Sequence, residues 1–168
     1  NLCELLAGSE GTLAMTVWAK LNLEPLPRYK RMLIPQFKNL DEAMKATVIA
    51  VEKEPAAVEL VDDIILEATK GNIEQAQNRF FLRDDPNCIL IIQFEGDNRF
   101  ELDNKAEELA KELKEAGLGY AFSQLQDTED MQRVWELRKA GLGLLMGLGK
   151  ESRSPAFCED TAVRVKDL

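Results

Sequence analysis

Two stretches of this chain carry the same plan, an apolar strand, an amphipathic helix and a second strand. That repetition constrains the fold more than any other feature of the 168 residues. In the first copy, Arg31–Phe37 is an apolar strand candidate. Asn39 suits the cap of the helix that follows, and Asp41 and Glu42 suit its positive N-terminal end. Leu40, Ala43, Met44, Thr47, Val48 and Val51 form one stripe of that helix. Pro55 ends it, and Ala56–Leu60 is a short strand. In the second copy, Cys88–Glu95 is a strongly apolar strand and Gly96-Asp97-Asn98 turns the chain. Glu101–Ala116 is a helix with Leu102, Ala106, Leu109, Ala110 and Leu113 on one side, stopped by Gly117 and Gly119. Tyr120–Leu125 is the last strand. The excursion from Asp62 to Asp85 holds a short helix around Ile64, Ile65, Leu66 and Ala68, ended by Gly71, and a second over Ile73–Leu82. This order predicts an α+β fold of the ferredoxin-like β-α-β-β-α-β type, with an antiparallel sheet and helices on one face. Arg31–Phe37 and Cys88–Glu95, its most apolar runs, belong at the centre. The other sheet face is left for a long helix or another domain.

The long helix is read over Gln124–Gly147. Met131, Val134, Trp135, Leu142 and Leu145 recur on one face at steps of three and four. Arg138 falls on the same face. A guanidinium keeps its proton inside a protein, so it must find an anion or reach water. It either snorkels at the edge of the stripe, pairs with a structural carboxylate, or clamps a carboxylate ligand. Gly141, Gly143, Gly147 and Gly149 are expected to loosen the helix end. Beyond them lie a polar loop, Lys150–Pro155, a short strand over Ala156–Val163, and a new element beginning at Val165. At the other end, Gly8-Ser9-Glu10-Gly11-Thr12-Leu13 is a small-residue turn that exposes backbone N–H groups. Met15–Leu23 reads as a strand, and Pro25-Leu26-Pro27 as a linker. The chain begins at Asn1 and stops inside an element, so both ends are expected to be cut from a larger protein.

Composition narrows the function classes. The net charge of −9 argues against a nucleic-acid partner, because phosphate neutralisation needs clustered Lys and Arg. No apolar run approaches the ~20 residues needed to span a bilayer. His is absent, which removes a His base, a His triad and a His-ligated metal from this stretch, and no metal site is predicted. Cys3, Cys88 and Cys158 are far apart and lack metal spacing, which fits a reducing, cytoplasmic compartment, with at most a peripheral place on the inner face of the membrane. The charges of Lys105, Glu108, Lys111 and Glu112 read as a solvated helix face.

Four segments in order carry a family resemblance. Gly8–Leu13, followed by a strand and Glu24-Pro25-Leu26-Pro27, resembles the end of the flavin-binding domain in FAD-linked oxidases of the D-lactate, glycolate and D-2-hydroxyglutarate dehydrogenase group. Ala56-Ala57-Val58-Glu59-Leu60 is similar to an Ala-Val-Glu-Leu strand of their substrate (cap) domain. Val134-Trp135-Glu136-Leu137-Arg138 is similar to their Trp-x-x-Arg helix. Phe157–Val163 resembles the Glu-Asp strand that re-enters the flavin site. The best match is the large bacterial branch with an added iron–sulfur domain.

The resemblance implies that residues 1–27 end a FAD-binding domain and residues 28–168 form a truncated cap domain. It implies FAD as cofactor, an iron–sulfur cluster in a missing downstream domain, and oxidation of a D-2-hydroxy acid. Arg138 matches the Arg that holds the substrate carboxylate, and Gly8, Ser9, Glu10, Gly11, Thr12 and Leu13 match the segment lying along FAD. Glu59, Glu159 and Asp160 are weaker candidates. The chain departs from the family pattern at several places. Val17-Trp18 stands where Thr-Glu is usual, and Arg164 where many relatives have Pro. Cys158 and Leu142 stand where some relatives have a Lys and a hydroxyl side chain, so neither of those contacts carries over. With the main phosphate-binding loops missing, the chain alone is expected to hold no FAD and to be inactive. Two other classes fit the fold: a ferredoxin-like module that binds a small ligand without chemistry, and a dimerising regulatory domain.

Overall fold

A computed structural model of the chain describes residues 1–147 and 162–167. In chain order the helices and strands are α1 (Leu2–Ala7), β1 (Tyr29–Phe37), α2 (Leu40–Val51), β2 (Ala57–Asp62), α3 (Asp63–Lys70), α4 (Ile73–Ala76), β3 (Cys88–Gly96), α5 (Arg99–Glu115), β4 (Ala121–Leu125) and α6 (Thr128–Gly147). Gln77–Arg79 and Val165–Asp167 are single 3-10 turns. The four strands make one antiparallel sheet in the order β2-β3-β1-β4. This is the ferredoxin-like arrangement, with the two most apolar strands at the centre.

Side chains alternate along each strand, so the sheet has two faces with different covers. On the inner face, Leu33 and Phe37 of β1 and Leu90, Ile92 and Phe94 of β3 pack against α2 and α5. Helix α5 presents Leu102, Ala106, Leu109, Ala110 and Leu113, the stripe legible in the sequence. Leu109 and Leu113 are fully buried, which is worth roughly 1.5–3 kcal/mol each. Helix α2 departs from expectation. Its buried residues are Ala43, Ala46 and Ala50, while Leu40 and Val51 are exposed. The alanines let the helix lie close on the sheet, and the longer side chains of its stripe are turned to the flanks. Asn39 caps α2 by accepting from the Glu42 N–H, a bond worth about 1 kcal/mol. Gly119 turns the chain into β4 with φ +78°, and a Cβ there would lie 3.2 Å from the Gln36 carbonyl oxygen, so only glycine fits.

The outer face is covered by α6 and α3. Met131, Val134 and Leu137 of α6, Leu66 of α3 and Phe81 pack on Met32, Ile34, Val61, Ile89 and Ile91. Gln36, fully buried on this face, fastens the connecting segment: its Nε2 donates to the Phe81 carbonyl at 3.0 Å and its Oε1 accepts from the Arg83 N–H at 2.8 Å. Arg133 ties α6 to the 3-10 turn by donating to Asn78 Oδ1 and to the Gln77 carbonyl, with its guanidinium over the Phe80 ring.

Several sequence expectations are corrected. The long helix begins at Thr128, because Gln124 and Leu125 are spent on β4. Ile73–Leu82 is a four-residue helix followed by a 3-10 turn, not one helix. Met15–Leu23 is not a strand: residues 14–27 form no regular structure and residues 14–26 are exposed. A strand needs a neighbouring backbone for its N–H and C=O groups, and among the described residues none pairs with this segment. The short helix α1 was not anticipated. Most of the strand expected over Ala156–Val163 lies outside the described residues.

Gly141 does not loosen α6. It is buried inside the helix, and a Cβ there would lie 3.1 Å from Ile65 Cδ1 and 3.2 Å from Ile65 Cγ2. The missing side chain lets α6 close on α3. Gly143 lies in the same helix but faces open space. The two glycines should therefore respond with opposite signs. Gly141→Leu overpacks the contact with Ile65 and should destabilise by about 1–3 kcal/mol. Gly143→Ala removes only the helix cost of glycine and should stabilise by up to about 1 kcal/mol. Urea unfolding of both variants checks this.

Candidate functional site

The outer face is apolar under the middle of α6 and polar toward one end. The register explains why. Ala57, Gln93, Met32 and Leu125 form one cross-strand row, and Lys30 stands opposite Glu95 two residues further along. Glu59 is two residues before Val61, and Gln93 two after Ile91, so both point to the α6 side. Two side chains of α6 meet them. Trp135 Nε1 donates to Gln93 Oε1 at 2.7 Å, Gln93 Nε2 donates to Glu95 Oε1 at 2.6 Å, and Lys30 Nζ pairs with the same oxygen at 2.8 Å. One turn further along, Arg138 meets Glu59. Its Nε donates to Glu59 Oε2 at 3.2 Å and its Nη2 lies 3.1 Å from that same oxygen.

Arg138 is on the covered side of α6, at the border of the stripe. The side-chain exposures of Arg138 and Glu59 are 37% and 42%. An ion pair this open to water contributes about 1 kcal/mol or less. Fastening of α6 therefore rests on Met131, Val134 and Leu137, with the Trp135–Gln93 bond, rather than on Arg138. The guanidinium uses only its Nε–Nη2 edge, and Nη1 has no hydrogen-bond partner among the described residues. Chemically, this is a half-used planar fork at the rim of a half-buried face, able to take a carboxylate.

The turn Gly8–Leu13 is not brought to this face. It follows α1 on the exposed N-terminal segment, and no residue before Met32 belongs to either core. Its own bonds are those of a tight turn: the N–H groups of Gly8, Ser9 and Thr12 donate to the carbonyls of Glu4, Leu6 and Ser9. Glu10 and Gly11 take φ of 50° and 75°, and their N–H groups have no backbone acceptor among the described residues. Glu159, Asp160 and Cys158 lie outside the described residues, as does the side chain of Leu142. Trp18 and Val17 are exposed.

Sequence reasoning passed over Gln93, whose amide joins helix to sheet, and Leu137, which is fully buried. It also passed over the burial of Arg31. Arg31 Nη2 donates to Gln124 Oε1 at 3.0 Å and Nε lies 3.4 Å from Asp103 Oδ1, while Nε and Nη1 make no hydrogen bond among the described residues. Cys88 is no nucleophile: burial, then the nearby carboxylates of Glu42, Asp63 and Asp62, pushes its thiol up to about 11. Among the described residues no cluster of Cys, Asp and Glu is placed to hold a metal ion, and no helix is long and apolar enough to cross a membrane.

Residues 26–168 match the family of FAD linked oxidases, C-terminal domain, and the chain belongs to that family. It is 30% identical over 179 residues to D-2-hydroxyglutarate dehydrogenase of Haemophilus influenzae, in an alignment covering 100% of this chain and 17% of that protein. The enzyme of the same name from Escherichia coli is 27% identical over 178 residues, again with 100% and 17% covered. Glycolate oxidase subunit GlcD of Bacillus subtilis is 27% identical over 150 residues, covering 88% of this chain and 30% of that subunit. The chain thus spans 17% of the length of the D-2-hydroxyglutarate dehydrogenases it matches.

The Trp135–Gln93 bond gives a direct test of how α6 is seated. Trp135→Phe keeps an aromatic ring but removes the indole N–H donor, leaving Gln93 Oε1 without it in a residue that is 7% exposed. Leaving such a group unpaired costs about 1–3 kcal/mol, so the urea midpoint should fall accordingly.

Proposed function

We propose that this chain is the substrate-binding part of an FAD-dependent oxidoreductase acting on a D-2-hydroxy acid, with Arg138 as the residue that binds the substrate carboxylate. The observation that carries the reading is the half-used guanidinium of Arg138, held at the rim of the outer sheet face with Nη1 unpartnered among the described residues. The names of the relatives support the substrate class, and among them 2-hydroxyglutarate is the favoured substrate. The same branch argues for an iron–sulfur cluster elsewhere in the full protein.

Arg138 does not stand in a closed cavity. A concavity of about 560 Å³ is lined by residues such as Asp63, Glu67, Asp85 and Asn87, and Arg138 is not part of its lining. The substrate site therefore needs a second wall, which an FAD-binding domain of the same protein supplies when it faces α6. Residues 1–27 belong to that domain in this reading, and the exposed Met15, Val17, Trp18, Leu21 and Leu23 are the side chains it would cover.

The turn at Gly8–Leu13 fits an edge of FAD. Its unbonded Glu10 and Gly11 N–H groups can donate to anionic or carbonyl oxygens, and a Cβ at Gly11 would meet nothing within 4 Å, so the approach is open. Bound FAD supplies the acceptor for the hydride equivalent leaving the hydroxyl-bearing carbon. Arg138 neutralises and orients the carboxylate next to that carbon by charge-assisted hydrogen bonds. The apolar floor of Met32, Ile34, Ile89 and Ile91 keeps the helix that carries Arg138 from shifting.

The test uses the full-length, flavin-loaded protein. A charge-assisted hydrogen bond is worth roughly 1.5–3 kcal/mol, so Arg138→Ala should lower kcat/KM for D-2-hydroxy acids by about tenfold or more. FAD per mole of protein should stay near normal. Arg138→Lys keeps the charge but loses the planar fork, and should fall between. If Arg138 is only structural, thermal stability and flavin retention fall together while activity per bound flavin is unchanged.

A further inference from the structure

The pairing of Arg138 with Glu59 raises a question that the substrate-clamp reading leaves open, namely whether that carboxylate competes with the substrate or serves it. The geometry points to service: we infer that Glu59 is a positioning residue, holding the Nε–Nη2 edge of Arg138 so that the outer Nη1–Nη2 edge faces a substrate carboxylate. This rests on the reading of Arg138 as the clamp.

Three observations carry it. First, both contacts end on one oxygen, Oε2, at 3.2 Å from Nε and 3.1 Å from Nη2. Glu59 thus spends one oxygen on the Nε–Nη2 edge and leaves the Nη1–Nη2 edge, which also presents two parallel N–H groups, to a second carboxylate. Second, Glu59 is on β2, which is paired residue by residue with β3 from Ala57↔Gln93 to Asp62↔Cys88. Its Cα is therefore fixed by the sheet, whereas the Arg138 side chain is long and otherwise free to turn. Ordering such a side chain costs up to about 2 kcal/mol, and a neighbour that has already ordered it removes that cost from substrate binding. Third, the pair is too open to water to matter much for folding. Its one distinctive effect is on the direction of the guanidinium.

The same geometry gives an opposite-sign test. If Glu59 positions Arg138, Glu59→Ala raises KM for D-2-hydroxyglutarate, by about fivefold if the pair is worth its upper value. If Glu59 competes for the guanidinium, the same change lowers KM. Glu59→Gln keeps an acceptor oxygen at the same reach and should raise KM less than Ala. It also serves where the Ala variant folds poorly. A positioning residue acts only through its partner, so Glu59→Ala added to Arg138→Ala should change KM no further. The measurement is steady-state KM and kcat per bound flavin of the full-length holoenzyme and its single and double variants. A lowered or unchanged KM in both Glu59 variants, with Arg138→Ala still costing about tenfold, overturns the role of Glu59 alone. An additive effect of Glu59→Ala in the Arg138→Ala background also overturns it. An unchanged kcat/KM in Arg138→Ala overturns the clamp, and Glu59 falls with it.

Discussion

Strands β1 and β3 are buried on both faces, and that constraint shapes the rest of the molecule. Residues 31–37 and 88–94 are buried without alternation. A strand of this kind needs a layer above and a layer below. Helices α2 and α5, brought back by the two strand–helix–strand units, cover one face. The second face would stay in water unless the chain returned to it, and α6 and α3 are that return. Once α6 is fixed on the outer face, the position of Arg138 follows: four residues after Val134 and one after Leu137, it leaves the helix where the apolar cover ends.

The energetics divide the outer face into two zones. Under Met131, Val134 and Leu137, burial and packing hold the helix, and loss of a side chain there is felt by the whole fold. At the rim, Arg138, Glu59, Lys30 and Glu95 remain partly in water and contribute little to stability. Trp135 and Gln93 join the zones with a single hydrogen bond. The rim is therefore free to exchange partners without disturbing the sheet, which suits a face that binds a charged ligand in the proposed role.

Much of this order was legible in the sequence. The strands β1 and β3 announce themselves by largely apolar runs, each broken by one glutamine, and α5 by a leucine and alanine stripe at helical spacing. Where reading failed, the cause was tertiary. In α2 only Ala43 of the expected stripe is fully buried, joined by Ala46 and Ala50, because close approach to the sheet matters more there than side-chain size. Gly141 looked like a helix breaker and is a contact with Ile65 across two helices. The segment around Trp18 has the composition of a strand, but composition cannot supply a neighbour to pair with. At the site, the sequence identified Arg138 as a cation requiring an anion and named a structural carboxylate as one option. It could not join Arg138 to Glu59, which is 79 residues away, or see the Gln93 amide, because both depend on the register of β2 and β3. The turn at Gly8–Leu13 was read for its free N–H groups; the structure leaves those of Glu10 and Gly11 without backbone acceptors among the described residues, and the turn belongs to neither core.

The central claim is that Arg138 presents its outer fork to a substrate carboxylate while its inner edge stays on Glu59. A crystal structure of the full-length, flavin-loaded protein with a bound D-2-hydroxy acid tests this most directly. The account predicts a substrate carboxylate oxygen within about 3 Å of Arg138 Nη1, with Nε still donating to Glu59. A substrate carboxylate held by another cation, with Arg138 bonded to Glu59 alone, would contradict it.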